Sequence, residues 1–307
     1  MSGPLDERDS RWINEHQIGV EVRQGRSTDV LGTAVTRVLP TKGRRTVGPW
    51  CFVDLIIPPD ADDPDPLEIG PHPHIGLHTV TWLFTGEALH SDSLGTEQVI
   101  RPGQLNLMTA GRGIAHAELS SPEGVIGAQM WVAQPEATRH GDPGFEHHGV
   151  LPIIERSTWR GRVLLGSYGG VTSPARIDSP LVGIDMHLTP GRSLLELDPT
   201  WEYGVVPIDT AVKVAEDIVE PGWIGLVERG PHEVPLEAGH GGARVLLVGG
   251  EPLGERIQMW WNFVARSKEE MTEAWRAWQA HDTDRFGPVP TKLARLDAPR
   301  PPWLSPD

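Results

Sequence analysis

Short apolar runs, each stopped within a few residues by proline or glycine, constrain this chain more than any other feature. With 29 prolines and 35 glycines spread among such runs, the pattern is that of an all-β protein with many turns rather than of a disordered tract. TVTWLF (79–84), QVI (98–100), QLNLMTA (104–110), GAQMWVA (127–133), RVLLGSY (162–168), IGLVERG (224–230) and RVLLVGG (244–250) are rich in Val, Leu, Ile and aromatic residues and read as strands. One helix is expected, over about 267–281. Ser267-Lys268-Glu269-Glu270 has the form of a capping box, and Met271, Ala274, Trp275 and Trp278 make an apolar stripe at helical spacing behind it. The proline-rich stretch from Gly287 to Asp307 reads either as an extended strap or as a disordered tail.

A faint internal echo points to duplication. RPGQLNLM (101–108) resembles EPGWIGLV (220–227), a Pro-Gly turn followed by an apolar strand, repeated 119 residues later. Repetition of one β-unit at that distance suggests two similar barrels in tandem. The same shift carries His116 and Glu118 onto Pro235 and Glu237, and no His-x-His occurs in the second half.

The formal charge of −15 argues against nucleic-acid or anionic-membrane surfaces, which need an excess of Lys and Arg. No apolar run approaches the length of a membrane span and the N-terminus is polar, so a cytoplasmic protein is expected. The single cysteine, Cys51, excludes an internal disulfide and any multi-cysteine zinc site; in GPWCFVDLII it reads as a small buried hydrophobe.

Residues 70–80, GPHPHIGLHTV, place His72, His74 and His78 in seven positions. On an extended strand, i and i+2 share a face, so His72 and His74 project together about 6–7 Å apart at Cα. Two imidazoles so placed can converge on one ion at roughly 2.0–2.2 Å. TAGRGIAHAE supplies a second i, i+2 pair, His116 and Glu118, behind a glycine-rich turn. Two such pairs on facing strands make a cage of three histidines and one carboxylate. Nitrogen with one oxygen and no thiolate suits Fe(II), and also Mn, Ni, Cu or Zn. Four ligands on a metal that prefers six leave room for chemistry, whereas a structural zinc site is closed. His78 is either a further nitrogen at this site or a core histidine with a satisfied ring, the second reading being favoured. His90 in EALHSDS is a group behind the ligands or a plain turn residue. His147 and His148 fall where a linker between the barrels is expected, and read as solvated.

With these residues quoted, the chain resembles the pirins, a family of bicupins. GRRTVGPWCFVD (43–54), GPHPH (70–74), TVTWL (79–83), HSDSLG (90–95), IRPGQLNLMTAGRGIAHAE (100–118), GGEPLGERI (249–257) and WNFVARSKEE (261–270) correspond to pirin-type segments in the expected order. The resemblance implies two cupin (jelly-roll-type) β-barrels packed face to face, with one metal in the N-terminal barrel held by His72, His74, His116 and Glu118. Family members commonly read His-Pro-His-Arg-Gly-Phe-Glu where this chain has Ile75, Leu77 and His78, so the surroundings of the cage are altered. The expected division is a metal-binding barrel over 12–148, a barrel without ligands over 149–290 that includes the helix, and a tail over 291–307.

Pirin-like proteins include enzymes resembling quercetin 2,3-dioxygenase and an iron-binding nuclear protein acting as a transcriptional cofactor. The first expectation for this chain is therefore a metal-dependent dioxygenase, most simply with Fe(II). Its partners would be O2 and a small flavonol-like phenol, whose 3-hydroxyl loses its proton before the ring opens with loss of CO. Glu118 would be the general base, and Ile75, Leu105, Leu107, Met108 and Trp131 are candidate cavity walls. The alternative is a non-enzymatic, redox-sensitive regulatory protein that binds a protein partner. The two differ in whether an open cavity reaches the metal.

Overall fold

Trp50–Ile56 and Leu105–Thr109 are buried on both faces, Gly191–Glu196 and Glu233–Ala238 alternate between buried and exposed positions, and bulges bend the longest strands so that one sheet closes on itself. The computed structural model describes residues 18–30, 33–57 and 66–304. Of the described residues, 54% are strand and 6% helix.

The first barrel is a nine-stranded antiparallel sheet. Its spine is the pair Leu77–Asp92 and Ile114–Ala133, whose register slips between Leu83 and Thr85 and again between Gly86 and Ala88, where the sheet turns over. Trp50–Ile56 continues the sheet from Ile114–Ala133, and Leu105–Thr109 from Leu77–Asp92. Glu68–His74 pairs with the N-terminal half of Ile114–Ala133. The segment with His147 and His148, expected as a solvated linker, is an edge strand, Gly144–His148, on Leu105–Thr109. His147 Nδ1 sits 2.7 Å from Asn106 Oδ1 there.

The second barrel opposes an eight-stranded and a four-stranded sheet. Its interior is mainly apolar, filled by side chains such as Val163, Ile184, Met186, Leu236 and Leu247, with Ser193 buried through a hydrogen bond to Thr158 O. The two Pro-Gly turns are equivalent. Gly103 and Gly222 both have φ in the left-handed region, at 86° and 77°, and Gln104 N and Trp223 N close the same turn onto Arg101 O and Glu220 O. The offset of 119 does not survive to the ligand positions. In Glu233–Ala238 the inward residues are Val234, Leu236 and Ala238, while Glu237 is exposed and Pro235 half-buried. The second barrel thus carries aliphatic groups at its inward positions.

The barrels meet through a common core that takes Val53, Val80 and Met130 from one and Leu164, Val206 and Leu246 from the other. Polar atoms caught in this contact are satisfied across it. Trp50 Nε1 donates to the carbonyls of Val182 and Gly249, both at 3.1 Å. Trp82 Nε1 donates to Asp185 Oδ2 at 3.1 Å, and Arg244 grips the same carboxylate at 2.6 and 2.9 Å while lying over the Phe84 ring.

Both ends of the chain cross the division expected at 148/149. Val20–Gln24 pairs with Trp223–Val227 in the second barrel. After Ala243–Gly250 the chain returns to the first barrel as a hairpin, Gln258–Trp260 with Phe263–Ala265, and Ile75 bridges to Phe263. Gly76 makes this approach possible, since a Cβ there would lie 2.2 Å from Val264 O. The helix spans Lys268–Gln279 with Ser267 as its N-cap, and Met271, Ala274 and Trp278 are buried. The cap is one-sided. Ser267 Oγ accepts from Glu270 N, but the Glu270 carboxylate accepts from Arg266 N and Arg139 instead of returning to the cap. A short second helix, Thr283–Phe286, follows, and beyond it the chain is an extended strap, with Leu296 N donating to Pro71 O and Leu296 O accepting from Trp278 Nε1.

Candidate metal centre

Strand pairing builds the site. His72 lies directly opposite His116, His74 opposite Ile114, and Ile69 opposite Glu118. The two sequence pairs therefore sit on hydrogen-bonded neighbours in one sheet, not on strands facing each other across the barrel. Their rings converge, with centroids 4.4 Å apart for His72 and His116 and 5.0 Å for His74 with either. One nitrogen from each of His72, His74 and His116 lies within 4.8 Å of the others, and among the described residues no other group of three potential ligands does so.

The opposite ring nitrogens are engaged, which sets the tautomers. His72 Nδ1 donates to Gly70 O at 2.9 Å and His74 Nδ1 to Asn262 O at 3.0 Å. Behind His116 runs a relay: His116 Nδ1 lies 3.4 Å from His90 Nδ1, and His90 Nε2 lies 3.0 Å from Asp92 Oδ2. With His90 neutral, Asp92 accepts from its Nε2 and His90 Nδ1 is left to accept from His116. Burial alone would raise the Asp92 carboxyl, but the hydrogen bonds from His90 and the amides of Thr96 and Leu94 hold it below its usual range, so it is an anion. Every one of the three imidazoles thus points an unprotonated nitrogen inward. His74 Nε2 and His116 Nε2 are 3.1 Å apart, the spacing of two ring nitrogens that share one proton or one metal ion. That is the observation by which the residues fit a cation.

Burial pushes the His72 imidazole down to about 4, and pushes His74 and His116 well below their ordinary value, with mutual repulsion among the rings adding to it. All three are neutral near pH 7, as nitrogen ligands must be. Glu118 is buried beside them, and burial raises its carboxyl against the opposing influence of His90 and Thr81. Thr81 Oγ1 lies 3.4 Å from Glu118 Oε1 and 2.9 Å from Gln129 Oε1, with one proton to offer the two, and Glu118 lines the same cavity as the imidazoles without joining their tight group.

His78 points elsewhere. Its ring nitrogens are engaged by Thr109 Oγ1 at 2.9 Å and Asp178 Oδ2 at 3.1 Å. Asp178 belongs to the second barrel and also accepts from Gln134, Thr138 and Arg176, so this histidine ties the barrels together. His90 is the group behind His116, stacked on Phe145 at 4.5 Å. Cys51 is buried with its thiol pushed up to about 12 and is chemically inert.

A cavity of about 580 Å³ opens onto the three imidazoles and Glu118. Trp131 forms one wall, its edge against His74 at 5.1 Å and its face stacked on Phe52 at 4.0 Å. Arg37 covers the Phe52 ring at 4.3 Å and is held by Asp54 through two 2.7 Å hydrogen bonds. Of the five walls expected, only Trp131 lines this cavity. Leu105 and Leu107 lie in the contact between barrels, Met108 in the first barrel's core and Ile75 against the helix. Sequence reasoning missed Arg37, Asp54, Gln129, Trp261, Asn262, Leu296 and Asp297, which line the cavity, and Asp92; only Asp92 left a signal, as His90-Ser91-Asp92 at strand spacing. A larger hollow of about 1310 Å³ lies on the second barrel around Arg192, Arg229 and His232, and none of the clustered histidines reaches it.

Two barrels, one holding an inward histidine cluster and the other filled with aliphatic side chains, define a bicupin with a candidate metal centre in its first half. Residues 32–132 match the family model described as Pirin, and residues 183–286 that of the pirin C-terminal cupin domain. The chain belongs to the pirin family. It is 44% identical over 89% of its length to "Putative quercetin 2,3-dioxygenase PA1205" of Pseudomonas aeruginosa, covering 87% of that protein, and 36% identical over 84% of its length to a "Pirin-like protein" of Caulobacter vibrioides, covering 92%. Among solved structures, quercetin 2,3-dioxygenase from Acinetobacter baumannii superposes with a TM-score of 0.87 at 40% identity, over 94% of this chain and 97% of that one. The Escherichia coli pirin YhhW, solved in complex with nickel(II), shares the fold at 16% identity with a TM-score of 0.59, over 76% of this chain and all of that one. No helix among the described residues is long and apolar enough to cross a membrane.

Proposed function

We propose that this protein is a metal-dependent dioxygenase of the quercetin 2,3-dioxygenase type, acting on a flavonol-like phenol. The observation that carries this reading is the open cavity of about 580 Å³ ending on three unprotonated, buried imidazoles. That size falls within the range of small-molecule sites, whereas a regulatory protein sensing through its metal alone has no need of such access. The relatives named as quercetin 2,3-dioxygenases support the same class.

His72, His74 and His116 would hold one divalent transition ion, with Glu118 as an additional oxygen ligand. The set suits Fe(II) and also accommodates Mn, Ni, Cu or Zn. Such an ion supplies Lewis acidity that lowers the pKa of a neighbouring hydroxyl, and a site for O2 chemistry. The chain's own residues do the rest. Glu118, its carboxyl already raised by burial, receives the proton of the substrate's 3-hydroxyl and keeps it in a site with little water. Thr81 offers its one hydroxyl proton to the Glu118 carboxylate or to Gln129 Oε1, the latter at 2.9 Å. Phe52 and Trp131 make an aromatic wall that excludes water, and the Arg37–Asp54 pair adds hydrogen-bonding capacity along it. The relay from Asp92 through His90 keeps His116 in the tautomer that binds metal.

The test is anaerobic loading with Fe, Mn, Ni or Cu in turn, followed by quercetin and air. Bleaching of the flavonol absorption with release of CO is expected. Absence of turnover with all four metals rejects the dioxygenase reading.

A further inference from the structure

Trp261 stands where the backbone favours a different residue. Trp260 pairs with Phe263, so Trp261 and Asn262 alone form the hairpin loop, and Trp261 has φ +52°. Two-residue loops of this kind favour glycine or asparagine at such a position, and a bulky aromatic side chain there is an outlier. Among the described residues two other non-glycine residues share this conformation, Ala215 at a hairpin tip and His281 just past a helix end, but neither lines the metal cavity. Trp261 does, on the same cavity as His72, His74 and His116. Its indole is set by an edge contact with Phe263, 5.5 Å between centroids at 86°, and Phe263 is fully buried. The next residue, Asn262, gives its carbonyl to His74. One turn therefore fixes a metal-site imidazole and an aromatic cavity wall relative to each other.

We propose that Trp261 is a positioning residue for a planar aromatic ligand, offering its indole to the ligand's ring so that the ligand's hydroxyl meets the histidine cluster. The inference rests on the aromatic-ligand part of the function proposed above, not on turnover. Outliers of backbone geometry persist where surrounding structure holds them, and they concentrate at functional sites. Here the strained position carries a side chain with a large apolar face and low conformational freedom, the type that binds flat rings well.

The experiment measures anaerobic binding of quercetin to metal-loaded native protein and to W261G, W261N and W261F, with metal content and melting temperature determined for each. Glycine adopts this φ without penalty but gives up the indole's contact with Phe263, so W261G is expected to keep its metal and stay folded with a melting temperature close to native while its Kd rises at least tenfold. W261N, which also tolerates the turn, behaves like W261G, and W261F regains most of the lost affinity. A W261G affinity within twofold of native overturns the proposal. Loss of metal in both W261G and W261N also overturns it, because the turn would then act on the metal centre rather than on the ligand. Failure of the native protein to bind quercetin defeats this proposal and the flavonol reading together. Tight binding with no turnover in air defeats the dioxygenase reading alone and leaves the assignment of Trp261 standing.

Discussion

His74 Nδ1 donates to the carbonyl of Asn262, 188 residues further along the chain. A first-barrel imidazole is thus oriented by a hairpin that follows the whole of the second barrel. The C-terminal segment is part of the candidate metal centre, and its removal tests that directly. Ending the chain at Gly287 keeps the hairpin and helix but deletes the strap, which supplies Leu296 and Asp297 to the cavity and covers Trp278. The expected cost is about 2–4 kcal/mol in stability, with metal affinity falling about tenfold. Urea denaturation and metal titration measure the two. Unchanged values for both would show the strap to be an ornament.

Metal retention should depend unequally on the residues around the cluster. His116→Ala is expected to abolish it, with elemental analysis falling from roughly one ion per chain to background. Asp92→Asn leaves all three imidazoles present but removes the anion that aligns His90, and a loss of about 10–100-fold in affinity is expected. Full occupancy in His116→Ala rejects the assignment of this histidine.

The metal-free protein should weaken as the medium becomes acidic. His72 is held at about 4 in the folded chain against 6.5 for an ordinary histidine, so the unfolded chain takes up the proton first. Stability attributed to neutral His72 is whole above pH 6.5 and declines as the pH falls toward 4, by on the order of 3 kcal/mol at the lower end. His74 and His116 act in the same direction. Melting temperatures of chelator-treated protein between pH 8 and pH 5 should be level at first and then drop. A flat profile down to pH 5 would contradict the burial of neutral imidazoles.

Coupling between the barrels is expected to run through Asp185, 2% exposed and bonded to both Trp82 and Arg244. Asp185→Ala leaves the Arg244 guanidinium and the Trp82 N–H without their acceptor at the interface. A destabilisation of about 3–5 kcal/mol follows. Denaturation followed by tryptophan fluorescence checks this, and a change below about 1 kcal/mol would place the coupling elsewhere.

Much of the fold was legible because strands announce themselves locally. GAQMWVA lies within Ile114–Ala133 and RVLLVGG within Ala243–Gly250. Period two also told which histidines share a face, and the strap was one of two readings left open. The offset of 119 misled at Pro235 and Glu237, because a one-residue slip exchanges the inward and outward faces of a strand without weakening its pattern.

By itself the sequence determined the two-barrel β architecture, the helix behind Ser267 and the likeness of His72, His74 and His116 to a ligand set. The helix and the pairing of the histidines follow from spacing along a few residues, where backbone geometry decides which way a side chain points, while the two barrels and the ligand set rested on the resemblance to the pirins. Only the tertiary structure decided that Asn262 orients His74, that Trp261 and Leu296 wall the cavity, and that His78 turns to Asp178. Those relationships join residues from distant parts of the chain, and no local preference encodes them. They arise when whole apolar surfaces close on one another and each buried polar atom must find its partner among whatever that closure brings near.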